Sequence, residues 1–315
     1  MTGLRAMLAA GWVAAGCTFA GVRATAAWPA QALAHGGASQ QPTASVGQVT
    51  IQALRDRHAL RAAVDHSVFS TLVLFGHDTY PRWDRPICPL VAGLPKNDGD
   101  FILARISQAA RAAGAPLAGR GCHPDLFVMA TSRPKLLLRL WWKRDPNLYN
   151  THDGIAPVWQ FIASHRPVHV WYNIALGCGG SPMSTSAPDG SLAAAGVLIS
   201  GGGTVCGQGV DTLLVNATAR KFSSVIVVIN KRRVHGMTYG QLAAYIALVG
   251  LAQINPDAKV GAVPTILHLF QGVQHPPSGL TAWDRALLYG LYHTNSASTL
   301  QVSEINLSVL KKIEQ

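Results

Sequence analysis

Six polar residues lie near predicted strands or the predicted central helix and are the candidate binding residues: His77, Asp78, Arg82, Asp84, His123 and His235. Loops at strand ends commonly carry binding residues, because a rigid scaffold holds them in place at the surface. All of the candidate residues except His235, which lies near the predicted central helix, could form one cluster whose imidazole, carboxylate and guanidinium groups bind a polar or charged ligand. Each residue also has a simpler interpretation, as a solvated loop residue or as one half of a carboxylate–arginine pair.

The sequence lacks the catalytic motifs that can be recognised from residue spacing alone. The sequence has neither a G-x-S-x-G nucleophile elbow nor an S-x-x-K motif with its partners. The only His pair at i and i+4 is His165 and His169, and Pro167 between them would break the helix that aligns both rings on a metal. The glycine-rich passage at 176–209 lacks Walker spacing. We therefore assign no catalytic residue, no metal ligand and no cofactor.

The first 26 residues have the features of an export signal. Arg5 supplies a positive charge, 6–22 is apolar and rich in small residues, and 24–26 fits a small-x-small cleavage site. Two alternatives stay open: an N-terminal membrane anchor, and a lipoprotein attached at Cys17, since 14–17 resembles a lipobox. A low-complexity lead follows at 27–48. No later stretch could span a bilayer, so we expect a periplasmic or secreted protein without an integral span.

Four cysteines follow the N-terminal segment: Cys88, Cys122, Cys178 and Cys206. An even count in an exported chain favours disulfides, and four cysteines allow three pairings. We predict Cys88 with Cys122 and Cys178 with Cys206, because each of these bridges stays within one local section. The alternative is a four-thiolate zinc site. Such sites usually use close pairs such as C-x-x-C, whereas the nearest two cysteines, at 178 and 206, are 28 positions apart.

The chain is basic, with 26 Lys and Arg against 15 Asp and Glu. Removal of a signal that contains Arg5 and Arg23 leaves 24 against 15, a surplus of 9 positive charges. Such a surplus attracts anionic partners, which include nucleic acid, anionic lipid and acidic cell-wall polymers. No nucleic-acid-binding module is recognisable, so we expect no nucleic acid. The densest basic groups, 135–144 and 231–233, have a simpler interpretation as solvated faces.

Residues 49–150 are predicted to form an N-terminal α/β section. Its predicted elements are an amphipathic helix at 49–65, a strand at 68–75, an irregular proline-rich segment at 77–95, a helix after Asn97 or Asp98, a strand at 126–130 and a helix from Pro134. Strand, crossover helix and strand in this order indicate a βαβ-like unit over about 66–145.

Residues 151–315 are predicted to form a C-terminal α+β section around one buried central helix at 238–254. The β-branched run at 225–229 indicates a strand buried on both faces. Thr238 and Gln241 have capping-box spacing at the helix start. Other predicted elements are a strand at 168–175, a glycine-rich loop at 176–209, a capped helix from Thr281 and a last helix at 300–313. The predicted fold class is therefore α+β, a mixed sheet with packed helices.

Two resemblances cover parts of the chain. The segments PRWDRPICPLVAGLP, LAAYIALVGLAQ and LTAWDRALLYGLY together resemble a group of exported bacterial proteins without an assigned activity. About the last 90 residues are similar to secreted bacterial domains of the zinc-metallopeptidase-like, or zincin-like, family. Its H-E-x-x-H motif would fall on the central helix, where this chain has Gly240, Gln241 and Ala244 in place of His, Glu and His. This resemblance implies a zincin-like half without its metal motif.

Two functional hypotheses follow. The first is a non-catalytic envelope protein that binds a protein partner or an anionic envelope polymer through its basic surface and glycine-rich loop. The missing catalytic motifs and the positive charge favour it. The alternative is a hydrolase, acting on peptide or cell-wall material, with a relocated or degenerate metal site. The partial metallopeptidase-like pattern favours this second hypothesis.

Overall fold

A four-stranded mixed sheet forms the centre of the protein. The computed structural model describes residues 57–73, 79–149, 151, 154–178, 198–200, 204–206 and 218–315, and at 57, 176–178, 198–200, 204–206 and 218 it describes the backbone alone. The strands are β1 (Pro89–Ala92), β2 (Leu126–Thr131), β3 (Val168–Cys178), β4 (Leu198–Ser200), β5 (Thr204–Cys206) and β6 (Thr218–Asn230). The sheet order is β1-β2-β6-β3, with β3 antiparallel to β6 and the other neighbours parallel; β4 and β5 pair separately.

Seven α-helices and two short 3-10 helices occur in the described part of the chain. They are α1 (Arg57–Thr71), α2 (Lys96–Ala113), α3 (Pro134–Arg144), α4 (Ala156–Ala163), α5 (Tyr239–Leu251), α6 (Ala282–His293) and α7 (Gln301–Glu314), with 3-10 helices at Pro146–Leu148 and Ile266–Phe270. Helices packed on a mixed sheet confirm the predicted α+β class. Among the described helices, none has the length and apolar character needed to cross a membrane.

Strand β6 separates two hydrophobic clusters, because successive side chains of a strand point to opposite faces. Val225, Val227 and Ile229 belong to the larger cluster, which α1, α2, α5, α6 and α7 complete. Ile226 and Val228 belong to a smaller cluster built with α3 and α4. All five side chains are at most 1% exposed. The β-branched run therefore forms a strand buried on both faces, as predicted.

Helix α5 is the predicted buried helix of the core. The capping box forms: Gln241 N donates to Thr238 Oγ1 at 3.1 Å, and Thr238 N donates to Gln241 Oε1 at 3.1 Å. Gly250 allows a close approach to β2, since a Cβ there would lie 3.2 Å from Leu126 Cδ1. Trp83 Nε1 donates to the Gly250 carbonyl at 2.8 Å. These contacts hold α5 against the sheet and against the segment that precedes β1.

A buried carboxylate joins α6 to the 3-10 helix before it. Asp284 is 0% exposed, and its oxygens accept hydrogen bonds from Thr265 Oγ1 (2.5 Å), Ile266 N (2.9 Å) and Thr281 N (2.9 Å). Asp284 N donates to Thr281 Oγ1 at 3.0 Å, which completes the predicted cap. Burial raises the pKa of Asp284, although the hydrogen bonds oppose that shift. Asp284 therefore both caps α6 and fixes the 3-10 helix beside it.

Two local predictions in the N-terminal section are wrong. Residues 68–71 continue helix α1 and do not start a strand, because Leu60, Val64 and Val68 repeat at helical spacing and are all buried. Pro89 begins β1 inside the segment predicted to be irregular. Proline is tolerated at the first residue of an edge strand, where its missing amide leaves no ladder bond unmade. The β1-α2-β2 unit is parallel, so the βαβ-like unit exists with a different first strand.

The Cys88–Cys122 disulfide forms as predicted and joins the start of β1 to the loop before β2. The side chains of Cys178 and Cys206 lie outside the described residues, so their pairing stays a prediction. The signal at 1–26, Cys17, the lead at 27–48 and most of the loop at 176–209 also lie outside them. Strands from both predicted sections, 49–150 and 151–315, share the one sheet.

Candidate functional site

The structure describes four of the six predicted binding residues. His77 and Asp78 fall outside the described residues. The other four lie at opposite ends of the strands. Arg82, Asp84 and His123 lie near the amino ends of the parallel strands, and His235 lies beyond the carboxyl end of β6. The described members of the predicted cluster, Arg82, Asp84 and His123, therefore lie at one end of the sheet, and His235, which was predicted separately, lies at the other.

Arg82 and Asp84 make contacts inside the protein. Arg82 Nη1 donates to the carbonyl oxygens of Leu291 and Thr294 at 2.6 and 2.7 Å. Lys221 Nζ lies 2.5 Å from Asp84 Oδ2. These contacts attach the segment before β1 to the end of α6 and to β6. Both residues thus have a structural role in addition to any role in binding.

Asp125 was not among the residues predicted from the sequence. It contacts both Cys88 and Arg85 at the amino ends of the parallel strands, beside the disulfide. Its Oδ1 accepts a hydrogen bond from Cys88 N at 2.8 Å, and its Oδ2 lies 3.7 Å from Arg85 Nε. Burial raises the pKa of Asp125, while the bond from Cys88 N and the charge of Arg85 oppose the shift. His123 is exposed close by. The sequence carries no local signal for Asp125, because Cys88 is 37 positions away.

Five cations converge at the carboxyl edge of the sheet, a surface that we call the basic edge: Arg133, Lys135, Lys231, Arg232 and Arg233. They follow β2 and β6, which pair in parallel and end side by side. Thr131 and Asn230 are partners in the register, and Lys231 N donates to Thr131 O at 3.0 Å. Two basic groups that are far apart in sequence therefore form one surface.

Side-chain hydrogen bonds stabilise a turn directly after β2 and another directly after β6. Arg133 N donates to Thr131 Oγ1 at 3.1 Å, and Arg232 N donates to Asn230 Oδ1 at 3.2 Å. Thr and Asn commonly stabilise turns through such bonds two residues ahead. These turns fix the backbone positions of Arg133 and Arg232. The side chains of Arg133, Arg232 and Arg233 are exposed.

Carboxylates near the basic edge have partners of their own. Asp257 Oδ1 pairs with Arg166 Nη2 at 2.8 Å, and Asp98 Oδ2 accepts a hydrogen bond from Tyr239 Oη at 2.8 Å. Within the described ranges, no carboxylate lies within 4.0 Å of the three exposed arginines: Arg133, Arg232 and Arg233. The basic edge therefore keeps an uncompensated positive charge.

A cavity of about 540 Å³, which we call the β3-edge cavity, adjoins the basic edge along β3. His169 lines it and is 1% exposed, with Nδ1 2.8 Å from Ser164 Oγ. His169 Nε2 and Gln253 Oε1 are buried and have no hydrogen-bond partner among the described residues. Burial lowers the pKa of His169, and three nearby cations lower it further: Lys135, Arg166 and Arg233. The field of the basic edge thus reaches this cavity.

The zincin-like motif positions on α5 have other contacts. Gln241 caps the helix, and its Nε2 donates to Pro277 O at 3.2 Å. Gly240 and Ala244 line a groove of about 610 Å³ between α2 and α6. In the described part of the chain, no group of three or more His, Cys, Asp or Glu side chains could hold a metal ion. A hydrolase with a relocated site stays a prediction.

No family model, curated protein or solved structure matches this chain. The resemblances to exported bacterial proteins and to zincin-like domains therefore stay predictions. Since a fold alone does not identify a function, the chemistry of the basic edge and of its neighbouring cavity carries the functional argument.

Proposed function

We propose that this protein is an exported, non-catalytic binding protein that holds an anionic envelope polymer at its basic edge. The observation that carries the proposal is the convergence of cations from two strand ends without a carboxylate partner among the described residues. Lys231 Nζ also donates to Gly93 O at 3.0 Å, so the surface extends to the end of β1. Neighbouring strands lie about 4.8 Å apart, and three strand ends therefore spread the charges over about 10 Å.

A polymer fits this surface better than a single small anion. The three arginines are exposed, and none of them lines either of the two cavities described above. One exposed ion pair contributes only about 0–1 kcal/mol, so a useful affinity requires several contacts made together. A chain with a carboxylate on each repeat unit can make these contacts, and each guanidinium can bind a carboxylate through two parallel hydrogen bonds.

Two further observations support an exported protein. The first 26 residues have the composition of an export signal. The Cys88–Cys122 disulfide is typical of oxidising compartments outside the cytosol. An envelope polymer is therefore the kind of anion that this protein would meet.

Polygalacturonate, a polycarboxylate, and neutral dextran are suitable probes, with binding measured by biolayer interferometry. We expect polygalacturonate to bind, dextran not to bind, and the affinity to fall as salt rises from about 50 to about 200 mM, since exposed charges are screened. The test variant is Arg133→Gln/Arg232→Gln/Arg233→Gln. The control, Arg61→Gln/Arg111→Gln/Arg120→Gln, removes three exposed arginines from other surfaces.

The two triple variants have the same net charge, so a general electrostatic effect would weaken binding equally in both. We expect the basic-edge variant to lose at least about tenfold in affinity, which is about 1.4 kcal/mol, and the control to lose less than about threefold. Equal losses, or equal binding of dextran and polygalacturonate, would contradict the proposal.

A further inference from the structure

Among the described residues, nothing pairs with the outer edge of the first half of β3. β3 is the last strand of the sheet, and Asn230 N donates to Pro167 O at 2.9 Å, which sets the antiparallel alternation. In this register, every second residue directs its backbone N–H and C=O away from β6: Val168, Val170 and Tyr172. Within the described ranges, no backbone hydrogen bond from another element reaches these groups.

Residues 168–172 carry none of the charged side chains that usually prevent an edge strand from pairing with another chain. Proteins protect edges with lysines, prolines, bulges or covering segments. Here Pro167 precedes the open stretch and a bulge at Asn173/Ile174 ends it, but residues 168–172 contain no Lys, Arg, Asp or Glu. At about 3.4 Å per residue, these residues offer about 17 Å of edge to an extended chain.

The β3-edge cavity has apolar walls on both sides of the sheet. Phe161 of α4 lines it within the smaller hydrophobic cluster, whereas Val249 of α5 and Phe270 of the 3-10 helix line it within the larger cluster. A strand added at β3 would point alternate side chains to these two sides. The volume of about 540 Å³ is within the usual range for binding pockets.

Two buried polar atoms of the cavity-lining residues have no hydrogen-bond partner in the described part of the chain. His169 is 1% exposed and Gln253 is 8% exposed, yet His169 Nε2 and Gln253 Oε1 make no hydrogen bond among the described residues. A buried polar atom without a partner destabilises the protein, because its hydrogen bonds to water are lost on folding and are not replaced. Ser164 Oγ lies 2.8 Å from His169 Nδ1 and orients the ring. A ligand with both donors and acceptors would satisfy these atoms.

We propose that the β3-edge cavity binds an extended polypeptide segment of a partner protein as an added strand. The segment's backbone pairs with Val168, Val170 and Tyr172, and its alternate apolar side chains occupy the two walls. Arg166 lines the cavity at the start of β3, where its guanidinium already pairs with Asp257. This inference goes beyond the proposed function, because the ligand is a polypeptide and the surface is the strand edge.

The probe is the peptide acetyl-Glu-Val-Leu-Val-Leu-Val-amide, which has apolar side chains on both faces of an extended strand and is titrated into the mature full-length protein, followed by amide NMR shifts. We expect saturable binding of one peptide per chain, with shifts at the outward amides: Val168, Val170 and Tyr172. Two N-methylated peptides provide the decisive comparison, each blocked at alternate amides. Only one edge of the peptide can face β3. Methylation of the amides on that edge should lower the affinity at least about tenfold, whereas methylation of the amides on the other edge should leave binding unchanged.

Two substitutions test the protein side. Val170→Pro removes an outward N–H without removing a bond to β6, and proline is tolerated at such positions of edge strands. We expect at least about a tenfold loss of peptide affinity. Gln253→Met removes the unpartnered acceptor, so the thermal midpoint should stay the same or rise while the affinity falls by about fivefold. A purely structural role for Gln253 would lower the midpoint and leave the affinity unchanged.

The basic-edge triple variant separates this inference from the proposed function. It should bind the peptide within about threefold of the unaltered protein, because the strand edge and the cavity walls are intact. Absence of peptide binding, equal binding of the two methylated peptides, or unchanged affinity of both Val170→Pro and Gln253→Met would overturn the inference. If another segment of this chain already paired with β3, the peptide would not bind.

Discussion

Gly93→Ala is expected to destabilise the sheet at the point where it supports the basic edge. Gly93 follows β1 directly, has φ +83°, and its carbonyl accepts a hydrogen bond from Lys231 Nζ at 3.0 Å. A Cβ at this position would lie 2.1 Å from the carbonyl oxygen of Ala130 in β2. Because both contacting atoms are held by backbone, a rotamer change cannot relieve the clash.

Two effects together lower the unfolding free energy of the Gly93→Ala variant. A left-handed backbone costs a residue with a Cβ about 1–2 kcal/mol, and the stiffer unfolded chain offsets about 0.4–1 kcal/mol of that. Opening the Cβ contact with Ala130 O from 2.1 Å to 3.0 Å requires β1 to move away from β2. That movement weakens several ladder hydrogen bonds, each contributing about 1 kcal/mol. We expect a total loss of about 3–5 kcal/mol in unfolding free energy.

Gly121→Ala is the matched control. Gly121 has φ +77°, but nothing lies within 4 Å of a Cβ placed there. Only the backbone cost applies, so we expect a loss of about 1 kcal/mol or less. Urea unfolding followed by circular dichroism measures both variants.

The comparison isolates the clash, because the two glycines share a left-handed backbone. If Gly93→Ala lost no more stability than Gly121→Ala, the close approach of Gly93 to Ala130 would be wrong. We also expect Gly93→Ala to bind polygalacturonate more weakly under conditions where it is still folded, since Lys231 loses its carbonyl partner when β1 moves.

Two further predictions concern the disulfide and a buried histidine. Replacing Cys88 and Cys122 together by alanine should lower the unfolding free energy in urea by about 4 kcal/mol, the chain entropy of a 34-residue loop; a loss below about 1 kcal/mol would contradict this. For His169, burial and then the nearby cations lower the pKa below its ordinary 6.5, so the unfolded chain binds a proton more readily than the folded protein. Stability should therefore fall as pH decreases through 6.5, and His169→Gln should show a shallower slope between about pH 7 and about pH 5; equal slopes would refute this.

Short-range signals predicted several elements correctly. The capping boxes of Thr238 with Gln241 and of Thr281 with Asp284 both form. Gly114 ends α2 with φ +80°, the left-handed conformation that glycine commonly adopts after a helix. In each case the interacting groups lie within a few positions of each other, so the sequence contains the whole signal.

Predictions failed where burial opposed local propensity. The β-branched and aromatic residues at 68–75 indicated a strand, yet Val68 continues the buried face of α1 together with Leu60 and Val64. Pro89 lies in a segment rich in proline, yet it begins β1 because it occupies the first position of an edge strand. Neither outcome is contained in a short window of sequence, because each depends on which element lies opposite.

The sequence by itself determined the α+β class, the basic surplus, the buried strand at 225–229 and the starts of the capped helices. It contained the cations of the basic edge only as separate groups. The tertiary structure alone decided that they meet, since Thr131 and Asn230 became partners across about 100 positions. It also decided that β3 is an edge and that His169 and Gln253 face one cavity. Strand order and register come from the joint packing of many distant residues, which no local pattern specifies.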